Sequence, residues 1–169
     1  MARIGKHEHG IQRAALESVR STCSRGQRGC VLVDSMHQIL STGRNGVPRG
    51  AVHCTDKPCA GAGAASGTEL SKCKATHAEA NALLQCQDVD SIYIAYCTTE
   101  PCIECTKLLL NTSVKQVIFR DLYPHGIQSK ALWVECGRDI YNWVHFKPKE
   151  KESGASIHAR LHKDNGDMP

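Results

Sequence analysis

A chain of 169 residues, 41% hydrophobic but only 5% aromatic, accommodates one domain with an aliphatic, Ala- and Cys-rich core and is too short for two ordinary domains. Its net charge of +4 is too mild to demand a nucleic-acid partner and suits small anionic substrates equally well. No stretch approaches the ~20 apolar residues of a membrane span, and the charged start lacks the apolar run of a signal peptide, so a cytoplasmic protein with neither nucleic-acid nor membrane partner is expected.

Ile11, Ala14, Ala15 and Val19 recur at helical spacing and predict a helix over 11–22. Residues 29–33 read as a short buried strand, 34–37 as a turn, and 38–42 as the return strand of an antiparallel hairpin. Three glycines and a proline within 43–50 exclude regular structure there and let backbone approach a ligand closely. A Gly/Ala/Cys-rich loop follows over 52–74, longer than idle connections usually are. A helix is predicted over 76–87 and a strand over 91–97. Pro101 suits the first turn of the next helix, which ends near Asn111. A strand over 115–119, a helix over 129–136 closed by Gly137, and a last extended segment over 140–146 complete the pattern. From Lys147 onward charge, Gly and Ser dominate, so 147–169 is expected to be a polar, flexible tail beyond a domain of residues 1–146. Alternating helices and strands after a hairpin predict an α/β domain, three-layered α/β/α, with a central mixed five-stranded sheet.

Ten cysteines without a signal peptide point to metal binding or catalysis rather than to disulfides. Cys30, Cys86, Cys97 and Cys136 sit singly among apolar neighbours and are expected in the core. Cys23, Cys54, Cys59, Cys73, Cys102 and Cys105 sit beside turns, polar residues or helix starts, where ligands lie.

Two stretches concentrate the chemistry: Thr76-His77-Ala78-Glu79-Ala80 and Glu100-Pro101-Cys102-Ile103-Glu104-Cys105. His77, Cys102 and Cys105 offer one nitrogen and two sulfurs, the ligand number of a catalytic zinc that keeps its fourth position for water. A helix start favours thiolate over thiol, because its free N–H groups and dipole stabilise negative charge. Glu79 is not needed as a ligand and is placed to carry a proton between an activated water and a substrate nitrogen. A lone Cys-x-x-Cys also fits a redox pair or half of a structural zinc knot. His-x-Glu followed by Pro-Cys-x-x-Cys is the pattern of zinc-dependent nucleobase deaminases.

On these residues the chain resembles the deoxycytidylate (dCMP) deaminases of the zinc-dependent cytidine deaminase superfamily, phage and bacterial members above all, over 11–146. Beside the zinc motifs, Arg20-Ser21-Thr22-Cys23-Ser24-Arg25 before Gly29-Cys30-Val31-Leu32-Val33, and Gly43-Arg44-Asn45-Gly46 leading to His53-Cys54, carry the likeness. The resemblance implies a cytidine-deaminase-like fold and hydrolytic deamination of dCMP to dUMP, supplying dTMP synthesis, with Glu79 protonating N3. It implies that Asn45 contacts the sugar, Arg25 the phosphate and Tyr123 the nucleotide, with Ala78 beside them. It implies a second, structural zinc on Cys23, Cys54, Cys59 and Cys73, with His53 able to replace one thiol. It implies a homo-oligomer, a hexamer, activated by dCTP and inhibited by dTTP, with Mg2+ on the triphosphate and Arg44, Arg49 and Lys57 as the nearby cations.

Two residues depart from the pattern. Relatives often have an aromatic residue before the Pro-Cys; Glu100 stands there instead, and in this it resembles the tRNA adenosine and riboflavin-pathway deaminases. Pro124 follows Tyr123 where some relatives carry arginine, which leaves Arg25, Lys72 or His125 for the phosphate. The alternatives are deamination of another base (modified dCMP, cytidine, or adenosine in tRNA) and a non-catalytic zinc-stabilised binding module. The intact Glu79 and ligand set argue against the last.

Overall fold

A computed structural model describes residues 3–147. In chain order it holds α1 (Lys6–Ser18), β1 (Gly29–Val33), β2 (Ile39–Arg44), α2 (Ala78–Gln85), β3 (Ile94–Thr99), α3 (Ile103–Leu110), β4 (Gln116–Asp121), α4 (Gly126–Glu135) and β5 (Trp143–His145), with short 3-10 turns at Leu70–Lys72, Val89–Ser91 and Ile140–Asn142. The strands form one five-stranded sheet in the order β2-β1-β3-β4-β5. β1 is antiparallel to both β2 and β3, whereas β3, β4 and β5 run parallel. The sheet is therefore mixed, and the α/β/α layering is as the element order predicts.

β1 is buried along its whole length, and β3 in all but its last residue, as strands covered on both faces must be. The two-residue period sorts their side chains. Val31, Val33, Ile94 and Tyr96 pack with Ile11 and Ala14 of α1 on one face. Cys30, Leu32, Ala95 and Cys97 face the other layer, where they meet Ala82 of α2, Leu109 of α3 and Trp133 of α4.

Several elements differ from their sequence outlines. α1 begins at Lys6, five residues before the predicted start, because its first turns carry charged and histidine residues that give no apolar period. It stops at Ser18 because the following residues serve the loop: the Ser21 hydroxyl donates to the carbonyl and side-chain oxygens of Asn45, at 2.8 and 2.6 Å. The last extended segment is a 3-10 turn and then a three-residue strand. Cys30 and Cys97 lie in the core, but Cys86 is half-buried and Cys136 exposed. Both cap helix C-termini, where the chain turns away from the core. Apart from Lys147, the expected polar tail lies outside the described residues, none of whose helices is long and apolar enough to cross a membrane.

The contact between β2 and α2 seats the site. Gly43 permits it: a Cβ there would collide with the Ala78 carbonyl oxygen and the Ala82 amide nitrogen. Gly43→Ala must push the helix off the strand and should lower unfolding free energy by at least about 1–3 kcal/mol in urea denaturation. Gly63→Ala, where an added Cβ meets nothing within 4 Å, should leave it within about 0.5 kcal/mol. Equal losses in the two variants would contradict this seating.

Candidate metal centre

Two helix N-termini converge on one point. His77 is the N-cap residue of α2 (φ −71°, ψ 158°) and Cys102 that of α3 (φ −70°, ψ 168°); neither side chain caps its own helix. Both are thus free to point outward toward each other. Nδ1 of His77 lies 3.3 Å from the Cys102 sulfur and 3.4 Å from the Cys105 sulfur. The three ligand atoms all fall within 4.8 Å of one another.

The electrostatics match a cation site. A hydrogen bond from the Cys105 thiol, with others from His77 and the Cys105 backbone N–H, brings the Cys102 thiol down to about 4 against the opposing effect of burial. The Cys102 thiolate in turn raises the His77 imidazole. Cys105, the donor of the pair, is pushed up. Glu79 is buried, and desolvation raises its carboxyl above the usual range. One nitrogen and two sulfurs on helix starts, one sulfur already an anion, fit Zn2+ in a three-ligand site.

The centre floors a cleft of about 110 Å³ lined by Ala78, Glu79, Asn45, Arg25, Arg28 and Tyr123 among others. A more apolar cavity of about 430 Å³ adjoins it on the α3 side and shares His77, Cys102 and Tyr123 with it. The structure thus gathers His77, Glu79, Cys102 and Cys105 with the four residues expected to contact substrate. Their local ties vary. Asn45 is buried and makes no left-handed turn; its Oδ1 accepts from Ser21 Oγ and from the Arg28 backbone N–H, and its Nδ2 donates to the Gly26 carbonyl at 2.8 Å. Arg25 donates to the carbonyls of Ala65 and Thr68 and so draws the 61–73 loop over the cleft. The backbone N–H of Tyr123 donates to Oε2 of Glu100 at 3.2 Å, while Oε1 of Glu100 accepts from the Trp143 indole at 2.8 Å. Glu100 is therefore a buried clamp between the end of β3, the Tyr123 loop and β5.

Other expected residues lie apart. Arg44 faces Glu17 at 3.9 Å, and neither it nor Arg49 lines the cleft. Lys72 pairs with Glu69 at 2.6 Å, and His125 lines the adjoining cavity. Cys54 is buried, its thiol raised by burial with Cys59 and Cys23 beside it; the Cys59 thiol, lowered chiefly by the Lys74 backbone N–H, also meets Cys73. These four share one corner, but among the described residues only His77, Cys102 and Cys105 bring ligand atoms within 4.8 Å. Sequence reasoning missed Arg28. It is one of several arginines in a polar stretch, and its only cue is its place immediately before the buried β1.

An α/β/α sandwich with a helix-capped His/Cys/Cys centre is the arrangement of the cytidine-deaminase-like fold. A crystal structure of dCMP deaminase from the cyanophage S-TIM5 in apo form matches with a TM-score of 0.61 and 26% identity, over 85% of this chain and 98% of that one. Residues 4–121 match the family model described as the cytidine and deoxycytidylate deaminase zinc-binding region, and the chain belongs to that family. Among curated relatives, deoxycytidylate deaminase of Schizosaccharomyces pombe is 33% identical over 138 residues, 79% of this chain but 42% of that protein. Deoxycytidylate deaminase of Mycobacterium phage D29 is 35% identical over 125 residues, 70% of this chain and 97% of that protein.

Proposed function

We propose that the protein hydrolyses dCMP to dUMP and ammonia, in the cytoplasm, feeding dTMP synthesis. The observation that carries this reading is a buried carboxylate, Glu79, beside the His77/Cys102/Cys105 centre in a cleft that also holds two guanidinium groups. The likeness to the phage D29 enzyme along nearly its whole length supports the choice of substrate. His77, Cys102 and Cys105 would hold a zinc ion, which would supply Lewis-acid activation of water near neutral pH. Glu79 would take one proton from the attacking water and deliver it to N3 of the pyrimidine. As the remaining hydroxide oxygen bonds to C4, a tetrahedral carbon forms; Glu79 would then take the proton of the new C4 hydroxyl and hand it to N4, so that the C4–N4 bond breaks as the C4 carbonyl forms and ammonia leaves. Burial suits Glu79 to this work, since a raised carboxyl holds and returns protons nearer neutrality than a solvated one. Arg25 and Arg28 meet the 5′-phosphate by charge-assisted hydrogen bonds, Asn45 orients toward the sugar, and Ala78 and Tyr123 wall the base and nucleotide.

Glu79→Gln should lower dCMP turnover by about 10²–10⁴-fold with zinc content unchanged; retention of turnover in the metal-replete variant would remove the assignment. Arg28→Ala should lower kcat/KM for dCMP roughly tenfold or more and leave the binding of deoxycytidine unaltered, because only the nucleotide carries the phosphate. Equal losses on both would place Arg28 outside phosphate recognition.

Cys23, Cys54, Cys59 and Cys73 belong to the same reading as a structural zinc that draws the four thiols of that corner together. Metal analysis should then give two zinc ions per chain, and a value of one would exclude it. Hexameric assembly and control by dCTP and dTTP with Mg2+, through the cations Arg44, Arg49 and Lys57, complete the proposal. Turnover sigmoidal in dCMP and shifted in opposite directions by the two triphosphates is expected, and hyperbolic kinetics indifferent to both would exclude that control.

A further inference from the structure

On the sheet face opposite the metal centre, the first turns of α1 and the turn between β1 and β2 enclose a separate cavity of about 240 Å³. Arg3, Lys6, His9 and Arg13 line it from the helical side, and His37 from the turn. No carboxylate is among its lining residues, and none of Arg3, Lys6 and Arg13 forms an ion pair with another described residue. The nearby acid Asp34 is engaged through Oδ1 with the backbone N–H groups of Met36 and Gln38, at 2.9 and 2.8 Å.

The floor is polar and built. The Tyr96 ring is buried in mid-strand, and Gly10 makes room for it: a Cβ on Gly10 would stand 2.6 Å from the ring. The Tyr96 hydroxyl lies buried between two imidazoles, with Nδ1 of His7 at 3.0 Å and Nδ1 of His37 at 3.3 Å. His37 takes this place in a left-handed conformation (φ 63°) that side-chain-bearing residues seldom adopt. Burial, then Lys6 and His7, hold the His37 imidazole below its usual range, which fits a region of surplus positive charge. Burial also pushes the Tyr96 phenol up to about 12, so it stays a neutral donor at physiological pH.

Like charges around a concave surface repel one another until a counter-charge enters, and such a surface focuses the field toward anions. Arginine and lysine meet phosphate oxygens with strong charge-assisted hydrogen bonds. We propose that this cavity is a second anion site, binding a phosphate group or phosphate chain through Arg3, Lys6 and Arg13, with the Tyr96 hydroxyl at its base. It shares no lining residue with the catalytic cleft, so it stands whether or not the substrate proposal does.

Isothermal titration calorimetry of the zinc-loaded full chain, its cleft filled with saturating dUMP, tests this with tripolyphosphate in about 0.1 M salt. The expected result is one site per chain that weakens as salt rises. Lys6→Glu combined with Arg13→Glu should weaken it at least roughly tenfold, and Tyr96→Phe should weaken it by a smaller factor, with circular dichroism unchanged in both. Competition by inorganic phosphate or by a nucleoside triphosphate distinguishes free phosphate from a nucleotide as the source, and competition by either supports the site. No binding to the unaltered chain, or binding indifferent to the double charge reversal, would overturn it.

Discussion

Nδ1 of His77 stands between two cysteine sulfurs, 3.3 and 3.4 Å away, and much of the chain serves to keep it there. The constraint is severe, because the three groups come from two helices and are separated by about 25 residues of chain. Each helix is fixed at its start. Thr76, immediately before His77, is bridged to Gly46 by paired backbone hydrogen bonds of 2.8 and 3.1 Å. Cys102 follows the end of β3 almost without a break, so the buried centre of the sheet aims it. With both N-caps set, the Cys105 thiol, then His77 and the Cys105 backbone N–H at the start of α3, lower the Cys102 thiol, and the dry interior beneath them raises the Glu79 carboxyl. Ligand geometry and proton-carrying capacity thus follow from one packing arrangement.

The cleft above the centre is held by polar contacts between distant segments. Asn45 ties the end of β2 to Ser21, Gly26 and Arg28, which brings the residue before β1 to the cleft wall. On the other side Glu100 joins Tyr123 to Trp143. A buried carboxylate that loses either donor leaves a polar group unsatisfied at about 1–3 kcal/mol, so these clamps define the cleft as well as line it. Glu100 thus braces the wall with two accepted hydrogen bonds, one from a backbone N–H and one from an indole.

What was legible in the sequence was what depends on neighbours along the chain. β1 showed as an unbroken apolar run, and His77 with Glu79, and Cys102 with Cys105, announced themselves by spacing of two and three residues. What escaped depends on partners far away. Nothing beside Arg28 says that Asn45 will orient its backbone from 17 residues off, and nothing beside Glu100 points to Trp143, 43 residues on. α1 was cut short because an apolar period cannot register a first turn made of Lys6, His7 and Glu8. The same blindness hid the cationic cavity, whose lining comes from α1, the β1–β2 turn and a tyrosine on β3. Cys86 and Cys136 looked like core residues because their sequence neighbours are apolar, yet each sits where its helix leaves the core.

The central claim is that a metal held by His77, Cys102 and Cys105 makes this cleft a deaminating centre. The most direct test is to follow conversion of dCMP to a uracil product in the full chain before chelation, after removal of metal, and after zinc is returned, with bound zinc counted in each sample. Turnover that disappears with the metal and returns in proportion to restored zinc is the expected result. Undiminished conversion of dCMP by metal-free protein would contradict the claim.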